Sequence, residues 1–228
     1  NADRIVTEAE HWEAETGKRE KRGYERVRME IVKYLGYFPV EGPWHQGEYY
    51  PWFRKREDLL EQYGPPTGWG YHFDLKLAED AKRQAPVLLD GETPLDVKPT
   101  SEFGIPIIHS IETNTPRTVF GNVYNHGLID NLPGRAVVEV PCLVDRTGVR
   151  PCACGAIPPQ LAGIMHQHIT MHQLAVEGVA TKSRELIRQA IQADPLIGAA
   201  LTLPQIEQMV GELFEENADF IKDWPAGG

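Results

Sequence analysis

The sequence predicts an α+β fold in which helices at both ends of the chain flank antiparallel strands in the middle. Apolar residues recur three and four positions apart over most of the first and last thirds, which is the spacing of a buried helix face. Between them, β-branched runs bounded by turn residues occupy much of 118–152. With 228 residues and no visible repeat, we expect one domain, 1–228, with a substantial core.

Helical periodicity dominates the part of the chain before the strands. We predict helices at 3–15, 23–36, 54–63 and 72–84, and the apolar spacing within 101–113 fits a further short helix. Gly36 ends the second of these helices, because glycine readily adopts the left-handed conformation that follows a helix. The prolines in 86–100 predict a loop, since proline interrupts helical hydrogen bonding.

The second half of the chain changes from strands back to helices. Strands are predicted at 118–123 and 136–140, with a third around 148–152. We predict helices over 158–180, over 182–193, and from Leu203 to a point before Trp224.

Charge and hydropathy exclude some classes of partner. The chain has 33 acidic and 23 basic side chains and a net charge of −10, which argues against nucleic acid or an anionic membrane as the main partner. No apolar stretch has the length of a transmembrane helix, and the first residues carry no hydrophobic run, so we expect a cytoplasmic location. Because no initiator Met is present, we also expect a piece of a longer polypeptide.

The cysteines are expected to be reduced thiols. There are three of them, Cys142, Cys152 and Cys154, and an odd count without a signal peptide is typical of a reducing compartment. Their spacing lacks the second pair of ligands that a structural zinc site requires. Buried or free thiols are therefore the expected state.

The segment 44–53 combines five aromatic residues with His45 and Glu48. Aromatic faces can cover the apolar C–H face of a sugar ring, while polar groups bond its hydroxyls. The segment therefore suits a carbohydrate. A core loop in which the aromatic side chains only fill space is the alternative.

A set of ordered segments extends from about residue 23 to about residue 220. The segments are Gly121–Val123, Gly127–Pro133 and Val138–Arg146, supported by Leu35–Phe38, His45, Glu48–Tyr49, Pro51–Phe53, Pro159–Ala162 and Asp194–Pro195. Together they resemble glycoside hydrolase family 4, in the branch with α-galactosidases, α-glucosidases and α-glucuronidases. The resemblance implies the substrate domain of a glycosidase with a lactate/malate-dehydrogenase-like architecture.

Parts of the family pattern are missing from this chain. There is no G-x-G-x-x-G turn for a dinucleotide, and we expect neither the Cys-His-Ser motif nor the Asn-His motif of the family in this sequence. In the family, the latter two motifs supply the divalent metal ligands. We therefore expect the C-terminal half of an enzyme whose N-terminal NAD-binding domain is missing here. The resemblance implies NAD and Mn²⁺ in the full-length enzyme, and we expect neither to bind this chain alone.

The resemblance also implies an unusual reaction, which departs from hydrolysis by paired carboxylates. The sugar is oxidised at C3 by NAD⁺, loses the acidified C2 proton, eliminates the aglycone, adds water and regains the hydride. A tyrosine serves as the C2 base in several members. Tyr49 is our candidate, with Tyr50 and Tyr37 as competitors, and packing or a sugar hydrogen bond is the alternative role.

Further residues are candidates for binding sugar. They are His45, Glu48, Asn122 and Asn125, whose polar groups can exchange hydrogen bonds with hydroxyls. Turn formation is a good alternative for Asn125. The basic run 54–56 could bind a carboxylate or phosphate, or could be the exposed start of a helix. His166, His168 and His172 share one predicted helix, where an interface or surface role is favoured over metal binding.

Three alternative functions remain open from the sequence. The stretch 44–46 departs from the Ser/Glu-rich segment of α-galactosidases, which raises a glucuronide or galacturonide specificity. A substrate half of a 2-hydroxy-acid dehydrogenase and a non-catalytic sugar-binding or scaffold protein are the others. We also expect a homo-oligomer, because wide apolar stripes mark the helix after Pro158 and the final helix, and family members are usually dimers or tetramers.

Overall fold

A computed structural model describes residues 19–64, 69–91, 94 and 102–225. The helices are α1 (Arg19–Leu35), α2 (Pro43–Gln46), α3 (Glu57–Tyr63), α4 (Trp69–Leu89), α5 (Gly104–Thr113), α6 (Pro159–Thr181), α7 (Arg184–Ala193), α8 (Pro195–Ala200) and α9 (Leu203–Glu216). The strands are β1 (Arg117–Tyr124), β2 (Val137–Asp145) and β3 (Gly148–Pro151). The predicted α+β class with antiparallel strands is confirmed. The helix expected at 3–15 lies outside the described residues.

Most element boundaries agree with the sequence pattern. Helix α1 ends at Leu35, and Gly36 follows it at φ +79° and donates its N–H to the Val32 carbonyl at 2.9 Å. The ambiguous 101–113 segment contains α5, and the strands and the long helix after Pro158 lie where they were expected. Ser183 caps α7, because its hydroxyl oxygen accepts a hydrogen bond from the Leu186 N–H.

Two predictions of loops were wrong, and one short helix was not predicted. Helix α4 continues through Pro86 to Leu89, where a loop was expected from residue 86. Proline removes one N–H donor, but the Pro86 carbonyl still accepts from the Asp90 N–H at 3.1 Å, so the last turn persists. The one-turn helix α2 lies within the predicted aromatic loop. Helix α8 was not predicted, and it forms because Asp194 accepts hydrogen bonds from two N–H groups of its first turn.

The sheet has the order β1–β2–β3. The hydrogen bond from the Asn125 N–H to the Ala136 carbonyl, 2.8 Å, sets the register of the first two strands. On β2 one face is buried, through Val138, Val140, Cys142 and Val144. A Cβ at Gly121 would lie 3.2 Å from the Cys142 sulfur, so the glycine allows the strands to pack this closely.

Two other packing contacts position the candidate site. Val27 and Ile31 of α1 form a buried cluster with Phe53, and Leu35, Tyr50 and Tyr63 pack around it. Helices α6 and α7 approach closely at Gly178, where a Cβ would lie 2.8 Å from Ile187 Cδ1. Because any larger residue at 178 would collide with Ile187, the close packing of α6 against α7 depends on this glycine.

The described residues form two compact units. One consists of 19–64, 120–143 and 150–225, and the other of 69–91, 94, 102–119 and 144–149. In the second unit, Arg117 donates to the Pro106 carbonyl at 2.9 Å, and the Asn114 side chain accepts from the Arg146 N–H. Compact units of this kind do not by themselves define domains, so the expectation of one domain stays a prediction. No helix within the described part of the chain is long and apolar enough to cross a membrane.

Candidate functional site

The aromatic segment begins within α2 and continues as a compact series of turns. The Gly47 N–H donates to the Trp44 carbonyl at 3.1 Å, and the Glu48 N–H donates to the His45 carbonyl at 2.9 Å. A Cβ at Gly47 would lie 3.3 Å from the Trp44 oxygen and 3.4 Å from Val27 Cγ2, so glycine lets the turn pack onto α1. The resulting turn presents His45 and Glu48 next to each other.

A charged group surrounds Glu48. Its two carboxylate oxygens lie 3.0 Å from His45 Nδ1 and 2.9 Å from an Arg54 nitrogen. Arg54 also donates to the Trp44 carbonyl at 2.7 Å, and its side chain is 14% exposed against 58% for His45. The guanidinium therefore holds the carboxylate in place from the protein side and leaves the imidazole accessible.

The two arginines of the basic run after the aromatic segment are engaged with carboxylates of the chain itself. Arg54 pairs with Glu48, and Arg56 pairs with Asp58 at 2.7 Å. The hydrogen bonds and charge of Arg56 hold the pKa of the Asp58 carboxyl below its usual value. This arrangement supports the helix-start alternative for 54–56 over a site for an anionic ligand.

Tyr49 is the most accessible of the candidate bases that follow the His45–Glu48 pair. Its side chain is 39% exposed, whereas Tyr50 is packed between neighbours. Partial burial raises the pKa of the Tyr49 phenol, and the carboxylates of Glu41 and Glu48 raise it further. A phenol acting as a base near neutral pH would need a cation close by to oppose these effects.

Tyr50 has a structural environment. Its ring stacks on Trp52 with centroids 5.1 Å apart, and its hydroxyl accepts a hydrogen bond from the Gln46 amide at 2.8 Å. Burial raises the pKa of the Tyr50 phenol, and the Gln46 hydrogen bond partly opposes that rise. Tyr50 therefore suits packing better than proton transfer.

A contact from a distant part of the chain meets Tyr49. His168 of α6 places Nε2 2.7 Å from the Tyr49 carbonyl oxygen, and the two rings meet edge to face with centroids 5.8 Å apart. The sequence does not predict this contact, because 119 positions separate the two residues and no local spacing connects them. His166 binds another loop, with Nε2 3.0 Å from the Asn131 carbonyl.

The candidate asparagines have different environments. Asn122 lies on the exposed side of β1. Asn125 is fully buried, its amide nitrogen lies 2.9 Å from the carbonyls of Ile129 and Leu132, and its oxygen accepts from the Ile129 N–H at 2.7 Å. This geometry supports the turn-forming alternative for Asn125, and we leave it out of the proposed sugar contacts. The expectation that the sequence contains no Asn-His pair was wrong, because Asn125–His126 is one. The Asn125 side chain makes its hydrogen bonds to the backbone of its own loop.

A cavity of about 340 Å³ lies beside the aromatic segment. Its walls are mainly aromatic and aliphatic, with a single carboxylate, and they comprise Glu30, Ile31, Tyr34, Leu35, Trp52, Phe53, Leu59 and Tyr63. Its volume and apolar lining are those of a small-ligand site. Tyr49 and His45 are not part of the lining, so the predicted base and the cavity are neighbouring features connected through Tyr50 and Trp52.

The residues present do not fit the cofactors that the resemblance implies. Within the described parts of the chain, no group of three or more His, Cys, Asp or Glu side chains could hold a metal ion. The sequence has no glycine-rich dinucleotide turn. We therefore derive no chemical step of this chain through a metal or a nicotinamide.

Sequence comparisons connect the chain to known glycosidases. The family model for the "Family 4 glycosyl hydrolase C-terminal domain" matches residues 2–197. An alpha-galactosidase of Bacillus subtilis (strain 168) is 32% identical over 209 residues, which is 91% of this chain and 48% of that protein. An alpha-galacturonidase of Lachnoclostridium phytofermentans is 25% identical and covers 87% of this chain and 43% of that protein. The chain thus spans about half the length of the curated relatives it matches.

Solved structures share the fold. A candidate glucosidase from Bacillus subtilis superposes with a TM-score of 0.70 at 23% identity, over 83% of this chain and 42% of that one. A 6-phospho-alpha-glucosidase from gut microorganisms, solved with NAD and Mn²⁺, gives a TM-score of 0.62 at 21% identity, over 89% of this chain and 45% of that one.

Proposed function

This chain belongs to family 4 of the glycosyl hydrolases, and we propose that it forms the sugar-binding, C-terminal part of an α-glycosidase that works by oxidation, elimination, addition and reduction. The observation that carries the proposal is the turn that holds His45, Glu48 and Tyr49 together beside an aromatic-walled cavity. Apolar walls with a few placed polar groups are suited to a sugar and its leaving group.

The roles of the residues follow from their exposure and partners. His45 and Glu48 exchange hydrogen bonds with sugar hydroxyls, and Arg54 keeps the Glu48 carboxylate oriented. Asn122 is a second, exposed amide for a hydroxyl. An apolar part of the substrate occupies the cavity against Trp52.

Tyr49 is the proposed base that removes the C2 proton. A ketone at C3 acidifies that proton, and the developing charge needs electrostatic stabilisation. The described residues do not fit NAD or Mn²⁺, so we propose that the rest of the full-length protein holds both. A structural neighbour was solved with NAD and Mn²⁺, and this chain covers 45% of it.

We propose an α-galactoside as the substrate, with an α-galacturonide as the second candidate. Two named relatives act on these sugars. The galactoside is favoured because Arg54 and Arg56 pair with carboxylates of the chain itself, and a uronic acid would require a cation for its own carboxylate. The dehydrogenase alternative is set aside, because the matched relatives are glycosidases.

The test uses the intact gene product with NAD⁺ and Mn²⁺. We expect turnover of nitrophenyl α-galactoside above that of the α-glucoside and α-galacturonide. In D₂O the released sugar should carry deuterium at C2, which a two-carboxylate hydrolase would not introduce. Turnover without C2 deuterium would contradict the mechanism, and preferential turnover of the galacturonide would select the second substrate.

The matched control is the 228-residue chain alone. It should turn over none of these glycosides and should show no NAD⁺ binding by calorimetry. Activity of this chain with NAD⁺ and Mn²⁺ would show that it needs no second domain.

A further inference from the structure

Tyr49 lies where no regular secondary structure supports the backbone. Its N–H reaches the Gln46 carbonyl only at 3.4 Å, which is a weak hydrogen bond. The stronger contact of its peptide group is the one at its carbonyl, where His168 Nε2 lies at 2.7 Å. The position of this turn therefore depends on a side chain from a distant helix.

Helix α6, which carries His168, is held in place by close packing. It packs on α7 at Gly178, where the backbone approaches Ile187 too closely to admit a Cβ. His166, two positions before His168, binds the Asn131 carbonyl and holds the loop between the first two strands. One helix thus supports both loops through histidines.

We propose that His168 is a positioning residue that fixes Tyr49 for C2 proton abstraction, an inference that rests on the proposed role of Tyr49. It acts at two points: its Nε2–H donates to the Tyr49 carbonyl, and its ring edge contacts the Tyr49 ring. Together these contacts restrain both the backbone and the phenol. Misplacing a reacting group by about 1 Å can cost about 10²-fold in rate.

The experiment compares variants of the intact gene product. His168→Leu removes the donor, and we expect kcat to fall at least tenfold while KM stays within twofold. His168→Gln retains an N–H donor and should recover kcat to within threefold of wild type. The matched control is His172→Leu, one turn further along the helix, where the His172 ring centroid lies 6.5 Å from that of His168. Its kcat should stay within twofold of the wild-type value.

Two further readouts separate positioning from a general loss of structure. Deuterium at C2 of the substrate should give a larger isotope effect in H168L, because a misplaced base makes proton abstraction slower. A crystal structure of H168L should show the Tyr49 hydroxyl displaced. If H168L does not fold, His168→Asn, whose side chain is too short to reach the carbonyl, takes its place.

The outcomes distinguish this inference from the proposed function. An unmoved Tyr49 in H168L, or a change confined to KM, would overturn the positioning role. A displaced Tyr49 with unchanged kcat and isotope effect would instead overturn the role of Tyr49 as the base. A loss of kcat in H168Q equal to that in H168L would overturn the proposal that the hydrogen bond to the Tyr49 carbonyl positions Tyr49.

Discussion

Two irregular segments of the same compact unit are held in different ways. The loop 124–134 is fixed mainly from within, because the buried Asn125 side chain binds backbone groups of the loop itself, and His166 of helix α6 adds a contact at the Asn131 carbonyl. The aromatic segment is fixed partly from outside, because His168 binds the Tyr49 carbonyl from helix α6. The Asn125 side chain that holds this loop is fully buried, whereas the aromatic segment keeps His45, Glu48 and Tyr49 accessible. The candidate site therefore combines a restrained backbone with accessible side chains, because the residue that restrains it, His168, lies on another element.

The prediction with the largest expected effect tests whether Tyr49, in the aromatic segment, acts as the base. In the intact gene product, Tyr49→Phe removes the proposed base while keeping the ring, and we expect kcat/KM to fall by about 10²–10⁴-fold. Steady-state kinetics on the preferred nitrophenyl glycoside measure it. Tyr37→Phe is the control, and its kcat/KM should stay within twofold of the wild-type value. A loss below threefold in Tyr49→Phe would assign the base elsewhere.

The second prediction concerns the loop 124–134, which the buried Asn125 side chain holds. Asn125→Ala leaves several buried backbone groups without partners and should lower the free energy of unfolding by about 3 kcal/mol. For a chain of this size that corresponds to a melting temperature lower by roughly 6–12 °C. Asn122→Ala, on the exposed side of β1, is the control and should change stability by less than about 0.5 kcal/mol. Equal losses of stability in the two variants would contradict the role of the Asn125 side chain in holding the loop.

Self-association is the third prediction and concerns the strands next to the Asn125 loop. Phe120, Tyr124 and Val137 are each more than half exposed, with exposed fractions of 57%, 62% and 59%. Such an exposed apolar group is typical of an interface. We expect the 228-residue chain to sediment as a species heavier than 25.6 kDa, and Phe120→Ser to weaken the association. A monomer unchanged over a hundredfold range of concentration would rule it out.

The smallest expected effect is a pH dependence of the aromatic segment. The pKa of the Tyr49 phenol is raised by burial and then by Glu41 and Glu48, and burial raises the pKa of Tyr50. Phenols whose folded pKa exceeds the unfolded value near 10 stabilise the fold below about pH 10 and lose that contribution as the pH rises through the folded value. The urea midpoint should therefore be flat from about pH 8 to 9 and fall above about pH 10. Tyr50→Phe should reduce the fall, and an unchanged slope would contradict the assignment.

The same contrast explains what the sequence could predict. Features that depend on near neighbours were predictable: Gly36 at the end of α1, the alternation of β2, and the turn-forming alternative for Asn125. The pairing of His45 with Glu48 also lies within one turn of chain. Helix α8 could have been found from Asp194–Pro195, since an acidic cap followed by proline is a helix start.

Other features depend on distant parts of the chain and left no local pattern. The continuation of α4 through Pro86 is an exception of another kind, because it departs from the usual effect of proline and a local hydrogen bond from the Asp90 N–H to the Pro86 carbonyl maintains the turn. The contact of His168 with Tyr49 joins parts of the chain whose separation no periodicity encodes. The sequence placed His168 on the correct helix but could not show which loop that helix meets.

The close packing of Cys142 against Gly121 has a practical consequence for labelling. Cys142 is fully buried and burial raises the pKa of its thiol, so little of the reactive thiolate forms. Cys152 and Cys154 are exposed. A thiol-reactive dye will therefore modify the exposed pair in the folded protein and reach the third sulfur only when the first two strands separate. Labelling of Cys142 therefore reports whether the pairing of β1 with β2 is intact.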